Sequence, residues 1–325
     1  MWISFVNRDH QVNLMALQWR YNKADMKVHP KETKSFHDIL IYGEKLFSDS
    51  NLYFGHGTTN AWDEAVCLSL HALDLPQNSS NLVLKRILSK DECKMIYSLF
   101  DQRVERKIPS AYLTETAWFL DRPFFVDTRV IIPRSPIANL IRAGFKPWID
   151  QPSSILDLCT GSGCIGISCA HIFEEAEVSL SDLSLQALEV AKINIDRFGL
   201  KERVSVHLSD LFDDIPCTKF DLIVANPPYV DDKDFANMPD EYSHEPKMSL
   251  KGGKDGLKLV KRILRDSVKF LTDKGVLIVE VGNSRLALEQ TFPEIAFFWF
   301  EFEEGDEGVF MLTSNELKAH SELFK

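Results

Sequence analysis

Two short motifs in the second half of the chain carry residues suited to chemistry. Residues 161–166 read Gly-Ser-Gly-Cys-Ile-Gly, and residues 226–229 read Asn-Pro-Pro-Tyr. The first matches a G-x-G-x-x-G pattern, whose glycines let the backbone approach a ligand closely between a strand and a helix. The second follows a β-branched run, at the strand end where open parallel sheets bind ligands. The two motifs predict a nucleoside site beside a rigid turn.

Asp157 distinguishes between two classes of cofactor. It stands four residues before Gly161, at the end of a predicted strand. A carboxylate at that point repels a pyrophosphate and attracts a cationic amino-acid group. We therefore expect S-adenosylmethionine, with its ammonium paired to Asp157 directly or through water and its sulfonium over the glycine loop. The glycine pattern alone also allows a nicotinamide dinucleotide.

Two further acids follow predicted strands. Asp182 lies 21 residues after Gly161, where a carboxylate accepts both ribose hydroxyls in either cofactor class. Asp210 follows the third strand, and we expect it near the adenine edge, with Leu211 or Phe212 against the ring face. Each acid alone could be a helix cap, so the prediction rests on their combination.

The 226–229 turn is suited to holding a planar NH2 group. Its two prolines fix φ near about −65° and remove two backbone donors. The Asn226 side-chain oxygen and the Pro227 carbonyl can each accept one hydrogen, while Tyr229 covers the amide or base face. This arrangement favours methylation of a conjugated nitrogen by positioning and electrostatics, without a covalent intermediate. The alternative is a rigid turn with a helix cap.

Composition narrows the class of protein. The 325 residues include 37 basic and 48 acidic groups, and the net charge is −11. That balance disfavours nucleic acid and favours a basic partner. Apolar stretches such as 295–300 are far shorter than the roughly 20 residues of a membrane span, and no secretory signal is visible, so we expect a cytoplasmic protein. The six cysteines lack a C-x-x-C pair, and we expect no metal site.

The periodicity predicts a helical region followed by an α/β region. Apolar residues recur at helical spacing over 36–47, 61–73 and 91–106, and Ser89 is a predicted N-cap. After about residue 150, β-branched runs alternate with helical segments, which indicates a parallel sheet covered by helices. The strand candidates are 154–158, 178–181, 204–207, 220–225, 276–281, 296–302 and 308–312. The last two flank an acidic turn, 303–307, and are predicted to be antiparallel.

Residues 124–126 and 130–132 read as a short hairpin between the two regions. The segment 230–256 is too long for an ordinary connection, so we expect it to close over the substrate. It is acid-rich between Asp231 and Glu245, which fits a basic partner. His244 in this segment is interpreted as a loop histidine with satisfied hydrogen bonds rather than a general base.

With D-x-x-T-G-S-G at 157–163 and N-P-P-Y at 226–229, the chain resembles the class I S-adenosylmethionine-dependent methyltransferases, specifically the N(5)-glutamine methyltransferases of proteins. Further segments resemble the subfamily that modifies the third protein of the large ribosomal subunit: 54–58, 60–65, 108–114, 117–119, 126–127, 132–137 and 241–246. The sister subfamily acting on peptide chain release factors carries P-R-P-E-T-E where this chain reads Pro-Arg-Ser-Pro-Ile at 133–137.

The resemblance implies a Rossmann-like seven-stranded sheet with an antiparallel last strand. It divides the chain into an unrecognised, loosely ordered extension (1–34), a helical substrate-recognition domain (35–115), a hairpin and linker (116–150) and a methyltransferase domain (151–325). The implied cofactor-binding residues are Asp157, Cys159, Thr160, Gly161, Ser162, Gly163, Asp182, Asp210, Leu211 and Asn226. The implied glutamine-binding residues are Asn226, Pro227, Pro228 and Tyr229. Of these, Asn226, Pro227 and Tyr229 are the predicted catalytic groups.

Two features depart from relatives. Residues 1–34 are not recognisable, so Met26 is a candidate start. Leu211 replaces an aromatic residue often found after the Asp210 position.

Four other functions are alternatives to methylation of a ribosomal protein. They are a release-factor methyltransferase, a DNA amino-methyltransferase, a non-catalytic assembly factor and a nicotinamide dehydrogenase. The acidic charge disfavours DNA, and the intact Asp157, Asp182 and Asn226 favour activity.

Overall fold

The computed structural model describes residues 34–216, 218–302 and 308–325. The predicted N-terminal extension, apart from Lys34, and the acidic turn at 303–307 lie outside the described residues. Two compact units are present, Met1–Thr116 and Ala117–Lys325. The predicted linker region from residue 117 onwards lies in the second of these units.

The first unit is helical over its described residues. Its helices are α1 (Phe36–Asp49), α2 (Ala61–Ala72), α3 (Lys90–Arg106) and α4 (Ser110–Leu113), with a 3-10 helix at Asn81–Lys85. The Ser89 side chain accepts from Glu92 N in a reciprocal capping box, which confirms the predicted start of α3. Phe47 of α1 and Phe100 of α3 pack edge to face, with ring centroids 4.9 Å apart. All three long helices confirm the predicted periodicity.

The second unit alternates strands and helices. Seven strands form its large sheet: β3 (Ser154–Leu158), β4 (Glu177–Asp182), β5 (Val204–Leu208), β6 (Phe220–Ala225), β9 (Leu271–Glu280), β10 (Phe298–Trp299) and β11 (Val309–Thr313). The shorter strands are β1 (Thr116–Phe119), β2 (Arg122–Phe125), β7 (Val230–Asp231) and β8 (Lys251–Gly253). The helices are α5 (Ile137–Arg142), α6 (Cys164–Ile172), α7 (Leu185–Arg197), α8 (Asp232–Ala236), α9 (Lys258–Ser267), α10 (Arg285–Thr291) and α11 (Ser314–Ala319).

The large sheet has the order β10-β11-β9-β6-β3-β4-β5. Strands β3, β4, β5, β6 and β9 are parallel, whereas β11 runs antiparallel to β9 and β10 antiparallel to β11. The fold is therefore α/β, Rossmann-like and seven-stranded, with antiparallel final strands. This confirms the predicted fold class. Every predicted strand of the sheet is present: β3 and β6 have the predicted ends, and the other five strands have shifted ends.

The register of this sheet aligns the strand ends that the sequence singled out. Ala225 of β6 pairs with Leu158 of β3 on one side and with Val279 of β9 on the other. Leu158 in turn pairs with Ser181 of β4. The residues one step further along each strand thus form one row at the carboxyl edge: Glu280, Asn226, Cys159 and Asp182. This row positions the candidate site.

The predicted hairpin at 124–126 and 130–132 is wrong. The two-stranded sheet that precedes the large sheet is formed by β1 and β2, and residues 130–132 are not a strand. The turn lies at Leu120 and Asp121, whose φ values are +48° and +61°. A left-handed conformation at a leucine is uncommon, so this turn carries none of the usual glycine or asparagine signals.

Among the described residues, no helix has both the length and the apolar composition of a membrane span. The same residues contain no cluster of His, Cys, Asp and Glu arranged to hold a metal ion. The five described cysteines, Cys67, Cys93, Cys159, Cys164 and Cys169, are all free thiols.

Candidate active site

The glycine loop follows β3 and enters α6, as the motif predicts. The φ values of Cys159, Gly161 and Gly163 are +58°, +56° and +83°, so the backbone turns through left-handed conformations. A Cβ placed on Gly161 would meet nothing within 4 Å, so the loop has open space beside it. A Cβ on Gly166 would lie 2.2 Å from Leu180 Cδ2, so the third glycine allows α6 to pack closely on the sheet.

Asp157 is fully buried beneath this loop. Its Oδ2 accepts hydrogen bonds from Thr160 Oγ1 at 2.5 Å and from Gly166 N at 2.9 Å. Its Oδ1 is buried and has no hydrogen-bond partner among the described residues. Burial raises the pKa of Asp157 to about 7, and the nearby Asp182 carboxylate adds to the rise, although the two hydrogen bonds lower it. An unpartnered buried carboxylate oxygen is suited to a cationic ligand.

Asp182 ends β4 and contacts the glycine loop directly. Its Oδ2 accepts from Gly161 N at 2.9 Å, and its Oδ1 accepts from Ser184 N at 2.8 Å. Ser184, not Asp182, is the N-cap of α7, because its side chain accepts from Ala187 N. The alternative that Asp182 is merely the helix cap is therefore wrong. Burial raises the pKa of Asp182, while the backbone donors lower it.

All three predicted carboxylates lie near enough to the thiol of Cys159 to raise its pKa. Burial raises the pKa of this thiol well above its usual value, and the charges of Asp182, Asp157 and Asp210 raise it further. The structure thus brings together acids that are 25 and 28 residues apart in sequence. The flanking Thr160 and Ser162 are buried and help to order the loop, with Thr160 N donating to Ser181 O.

Asp210 has a partner that the sequence did not indicate. Its Oδ1 accepts from Arg262 Nη1 of α9 at 2.8 Å, and the Asp210 side chain is 43% exposed. Leu211 has a φ of +57° and is buried in the core. Phe212 stacks on Phe270 in the same core, with ring centroids 4.7 Å apart. An adenine contact by Leu211 stays a prediction.

The Asn-Pro-Pro-Tyr turn directly follows β6 and precedes β7. Pro227 is buried, whereas Asn226, Pro228 and Tyr229 are half-buried. Within the described part of the chain the Asn226 side chain has no hydrogen-bond partner. Because Ala225 and Leu158 are register partners, Asn226 and Cys159 start their loops side by side. The motif thus lies next to the glycine loop, with a polar amide available for a ligand.

Tyr229 is fixed by groups that sequence reasoning missed. Its hydroxyl donates to Glu280 Oε1 at 2.8 Å, and its carbonyl accepts from Ser284 Oγ at 2.9 Å. A Cβ on Gly282 would lie 2.5 Å from the Tyr229 ring, so the ring packs directly on the backbone. Burial raises the pKa of Tyr229 well above its usual value, and the Glu280 carboxylate raises it further. Glu280 could have been found, since it too ends a parallel strand.

Two of the resemblance segments meet beside Tyr229. Arg134 donates to both oxygens of Glu245, at 2.6 and 2.7 Å, and Glu245 Oε1 also accepts from Ile132 N at 2.9 Å. The Arg134 guanidinium lies 5.2 Å from the centroid of the Tyr242 ring. Burial lowers the pKa of Arg134, but the Glu245 carboxylate holds it above its usual value.

The acid-rich segment is less uniformly exposed than its sequence indicates. Glu241 and Glu245 are buried, and Asp231 caps α8 by accepting from Lys233 N and Asp234 N. Asp232, Asp234 and Asp240 are exposed. The negative surface of this segment is therefore restricted to those three acids and part of Asp231.

Comparison with known proteins assigns the family. The methyltransferase small domain matches residues 146–242. A ribosomal protein uL3 glutamine methyltransferase of Francisella tularensis subsp. tularensis (strain SCHU S4 / Schu 4) is 50% identical over 292 residues, 89% of this chain and 93% of the relative. The protein of the same name from Neisseria gonorrhoeae (strain ATCC 700825 / FA 1090) is 44% identical over 290 residues, 88% and 97% of the two chains. The chain belongs to the uL3 glutamine methyltransferase family.

This membership confirms the resemblance inferred from the motifs, and it sets aside the nicotinamide dehydrogenase. The glycine loop of this uL3 glutamine methyltransferase family member lies within the matched methyltransferase domain, as do Asp157, Asp182, Asp210 and the Asn-Pro-Pro-Tyr turn. The partners that sequence reasoning missed, Arg262 and Glu280, lie beyond the matched residues. Arg262 carried no sequence signal, because an arginine on an amphipathic helix is usually a solvated residue.

Proposed function

We propose that this chain transfers a methyl group from S-adenosylmethionine to the side-chain amide nitrogen of a glutamine in ribosomal protein uL3. One observation carries the proposal: Leu158 and Ala225 are register partners, so the glycine loop and the Asn-Pro-Pro-Tyr turn leave neighbouring strands at the same sheet edge. A nucleoside site and an amide-holding turn are therefore adjacent. The two uL3-directed relatives, at 44% and 50% identity, support the choice of substrate.

The residues present fit S-adenosylmethionine. The buried, unpartnered Oδ1 of Asp157 is suited to the ammonium, and the open space beside Gly161 allows close approach of the ligand. Asp182 is suited to the ribose hydroxyls, since its carboxylate keeps further lone pairs beyond the two backbone donors. The remaining proposed cofactor contacts come from Cys159, Thr160, Ser162, Gly163, Asp210, Leu211 and Asn226. When bound, the cofactor supplies an electrophilic methyl group on its sulfonium.

The chain's own role in the reaction is to hold the amide. Asn226 Oδ1 and the Pro227 carbonyl accept one hydrogen each from the glutamine NH2, Pro228 stiffens the turn, and the Tyr229 ring covers the amide face. Two acceptors draw electron density back towards nitrogen and aim its lone pair at the methyl carbon. The amide nitrogen would accept the methyl carbon as the sulfonium S–C bond breaks and its electron pair stays on the departing sulfur, and one N–H proton would leave to water. No enzymatic base is needed, because a protonated amide is a strong acid.

We also propose that the substrate is recognised as a basic protein and that the helical unit, residues 35–115, contributes to this recognition. The net charge of −11 and the exposed Asp232 and Asp234 beside the Asn-Pro-Pro-Tyr turn support a basic partner. Sequence-specific nucleic-acid binding is not part of this proposal. Because the substrate is a ribosomal protein, we expect the enzyme to act in the cytoplasm.

The test uses labelled S-adenosylmethionine and ribosomal proteins from a strain that lacks the enzyme, with the labelled residue mapped by mass spectrometry. Parallel reactions contain peptide chain release factors and unmethylated DNA. We expect label on a uL3 glutamine alone. Label on a release factor or on adenine would replace the proposed substrate, and the absence of any transfer by folded enzyme would indicate a binding protein instead.

A further inference from the structure

A buried carboxylate lies behind the substrate side of the site. Glu280 ends β9, is 3% exposed and accepts from Tyr229 Oη at 2.8 Å and from Ser135 Oγ at 2.5 Å. Burying a carboxylate is costly unless it is hydrogen-bonded, so its position next to the Asn-Pro-Pro-Tyr turn calls for a role. None of the proposed cofactor-binding and glutamine-binding residues is Glu280.

The hydroxyl of Tyr229 is the one polar point at which hydrogen bonds among the described residues hold its ring. Its backbone is fixed, because the Tyr229 carbonyl accepts from Ser284 Oγ and the turn begins with two prolines. One part of the ring touches the Gly282 backbone. The hydroxyl end is held by the bond to Glu280, and Ser135 in turn holds the other oxygen of that carboxylate. Loss of Glu280 would remove this hydrogen bond from the hydroxyl end and leave the packing on Gly282.

We propose that Glu280 is a positioning residue for methyl transfer, which acts by fixing the Tyr229 ring against the glutamine amide. This inference rests on the proposed function. The reacting nitrogen and methyl carbon must meet in a near-attack geometry, and a displacement of about 1 Å costs on the order of a hundredfold in rate. Glu280 itself does not touch the substrate, so its effect must pass through Tyr229.

The first experiment compares kinetics of Glu280→Ala and Glu280→Gln. We expect Glu280→Ala to lower kcat by about ten- to a hundredfold, with the KM for uL3 and the Kd for S-adenosylmethionine changed less than about threefold. Glu280→Gln keeps an acceptor for the tyrosine and should retain most of the parental kcat. An equal loss in both variants, or a parental kcat in folded Glu280→Ala, overturns the proposal.

Asp221 provides the matched control. It is a β6 carboxylate at the opposite edge of the sheet, and it also accepts from side-chain hydroxyls: Ser153 Oγ at 2.8 Å, Thr272 Oγ1 at 3.1 Å and Ser154 Oγ at 3.4 Å. Asp221→Ala should lower the melting temperature and leave kcat within about twofold of the parent. A kcat loss in Asp221→Ala as large as in Glu280→Ala would show general destabilisation and contradict the proposal.

A double-mutant cycle with Tyr229→Phe tests the route of the effect. Removal of the hydroxyl alone should reproduce most of the kcat loss, and it serves as the test if Glu280→Ala fails to fold. In the Tyr229→Phe background, Glu280→Ala should have little further effect. Parental kcat in Tyr229→Phe, or full additivity of the two losses, overturns the proposal.

A crystal structure of a Glu280 variant separates this inference from the proposed function. The Tyr229 ring should be displaced in Glu280→Ala and unmoved in Glu280→Gln. An undisplaced ring in Glu280→Ala contradicts the positioning role whether or not uL3 is the substrate. Failure of the parental enzyme to methylate uL3 would instead contradict the proposed function. The position of the Tyr229 ring in the two variants would then still decide whether Glu280 positions it.

Discussion

Arg134 and Glu245 lie 111 residues apart and form a bidentate ion pair with N···O distances of 2.6 and 2.7 Å. The Glu245 side chain is fully buried, and that of Arg134 is 24% exposed. The pair joins the segment after β2 to the loop that follows the Asn-Pro-Pro-Tyr turn. It therefore holds these two segments together beside Tyr229 through a strong, directional contact.

Breaking this pair should destabilise the enzyme. We expect Arg134→Ala to lower the free energy of unfolding by about 3 kcal/mol, because Glu245 would remain buried without its cation. The double variant Arg134→Met, Glu245→Leu should lose less, since no unpaired charge remains. Urea denaturation of the three proteins measures the difference. A double variant that is less stable than Arg134→Ala would count against this account.

Ionisation of Asp157 should make the ligand-free enzyme less stable as pH rises. The folded pKa is about 7 against an ordinary value of 3.8, so the native state binds more protons between these two values. The free energy of unfolding should therefore fall as pH rises through about 4 to 7, and this part of the slope should vanish in Asp157→Asn. Chemical denaturation at several pH values measures it, and an identical slope in Asp157→Asn would refute the assignment.

Binding of S-adenosylmethionine should release a proton from Asp157. A cationic ammonium favours the carboxylate, so near pH 6 the ligand has to displace the proton, and affinity should rise towards about pH 8. Calorimetry in buffers of different ionisation enthalpy measures the protons released. If parental enzyme and Asp157→Asn release the same number, the ammonium does not pair with Asp157.

Asp182→Ala should weaken S-adenosylmethionine binding by about 1.5 to 3 kcal/mol, the scale for hydrogen bonds to a charged acceptor. Part of this loss will come from the glycine loop, because Gly161 N donates to Asp182 Oδ2. Asp182→Asn, which keeps one acceptor oxygen, should lose less. Isothermal calorimetry gives the affinities, and an unchanged Kd in Asp182→Ala would remove this residue from the site.

Asn226→Ala should lower kcat by about two to three orders of magnitude, as for loss of one preorganised polar group at a reacting centre. Cofactor affinity should change far less. Asn226→Asp keeps an acceptor of similar shape, so some activity should survive. Melting temperatures must first show that each variant is folded. Methylation at the parental rate by folded Asn226→Ala would mean that other groups hold the amide.

The KM for uL3 should rise with ionic strength, because the exposed charges that attract a basic protein are screened by salt. Asp232→Asn with Asp234→Asn should raise KM at low salt and reduce the salt dependence. Initial rates at several salt concentrations measure both effects. A KM that stays flat with salt in the parental enzyme would exclude steering by this surface.

The sequence by itself determined the order of elements, the fold class and most of the proposed cofactor and substrate residues. These features are local. A β-branched run, a glycine loop and the start of a helix are contiguous in the chain, and a parallel sheet brings all strand ends to one edge. That is why the sequence alone predicts that Asp157, Asp182 and Asn226 lie near one another, and why it predicts that Ser89 is a cap.

Only the tertiary structure decided which side chains support those residues. The pairs Arg262 with Asp210, Glu280 with Tyr229 and Arg134 with Glu245 join groups that are 52, 51 and 111 residues apart. No spacing rule links such positions, because their contact depends on how the intervening elements pack. The hairpin turn at Leu120 and Asp121 is not predicted by its sequence for a related reason: Asp121 tolerates a left-handed backbone, but a leucine at such a position carries no turn signal.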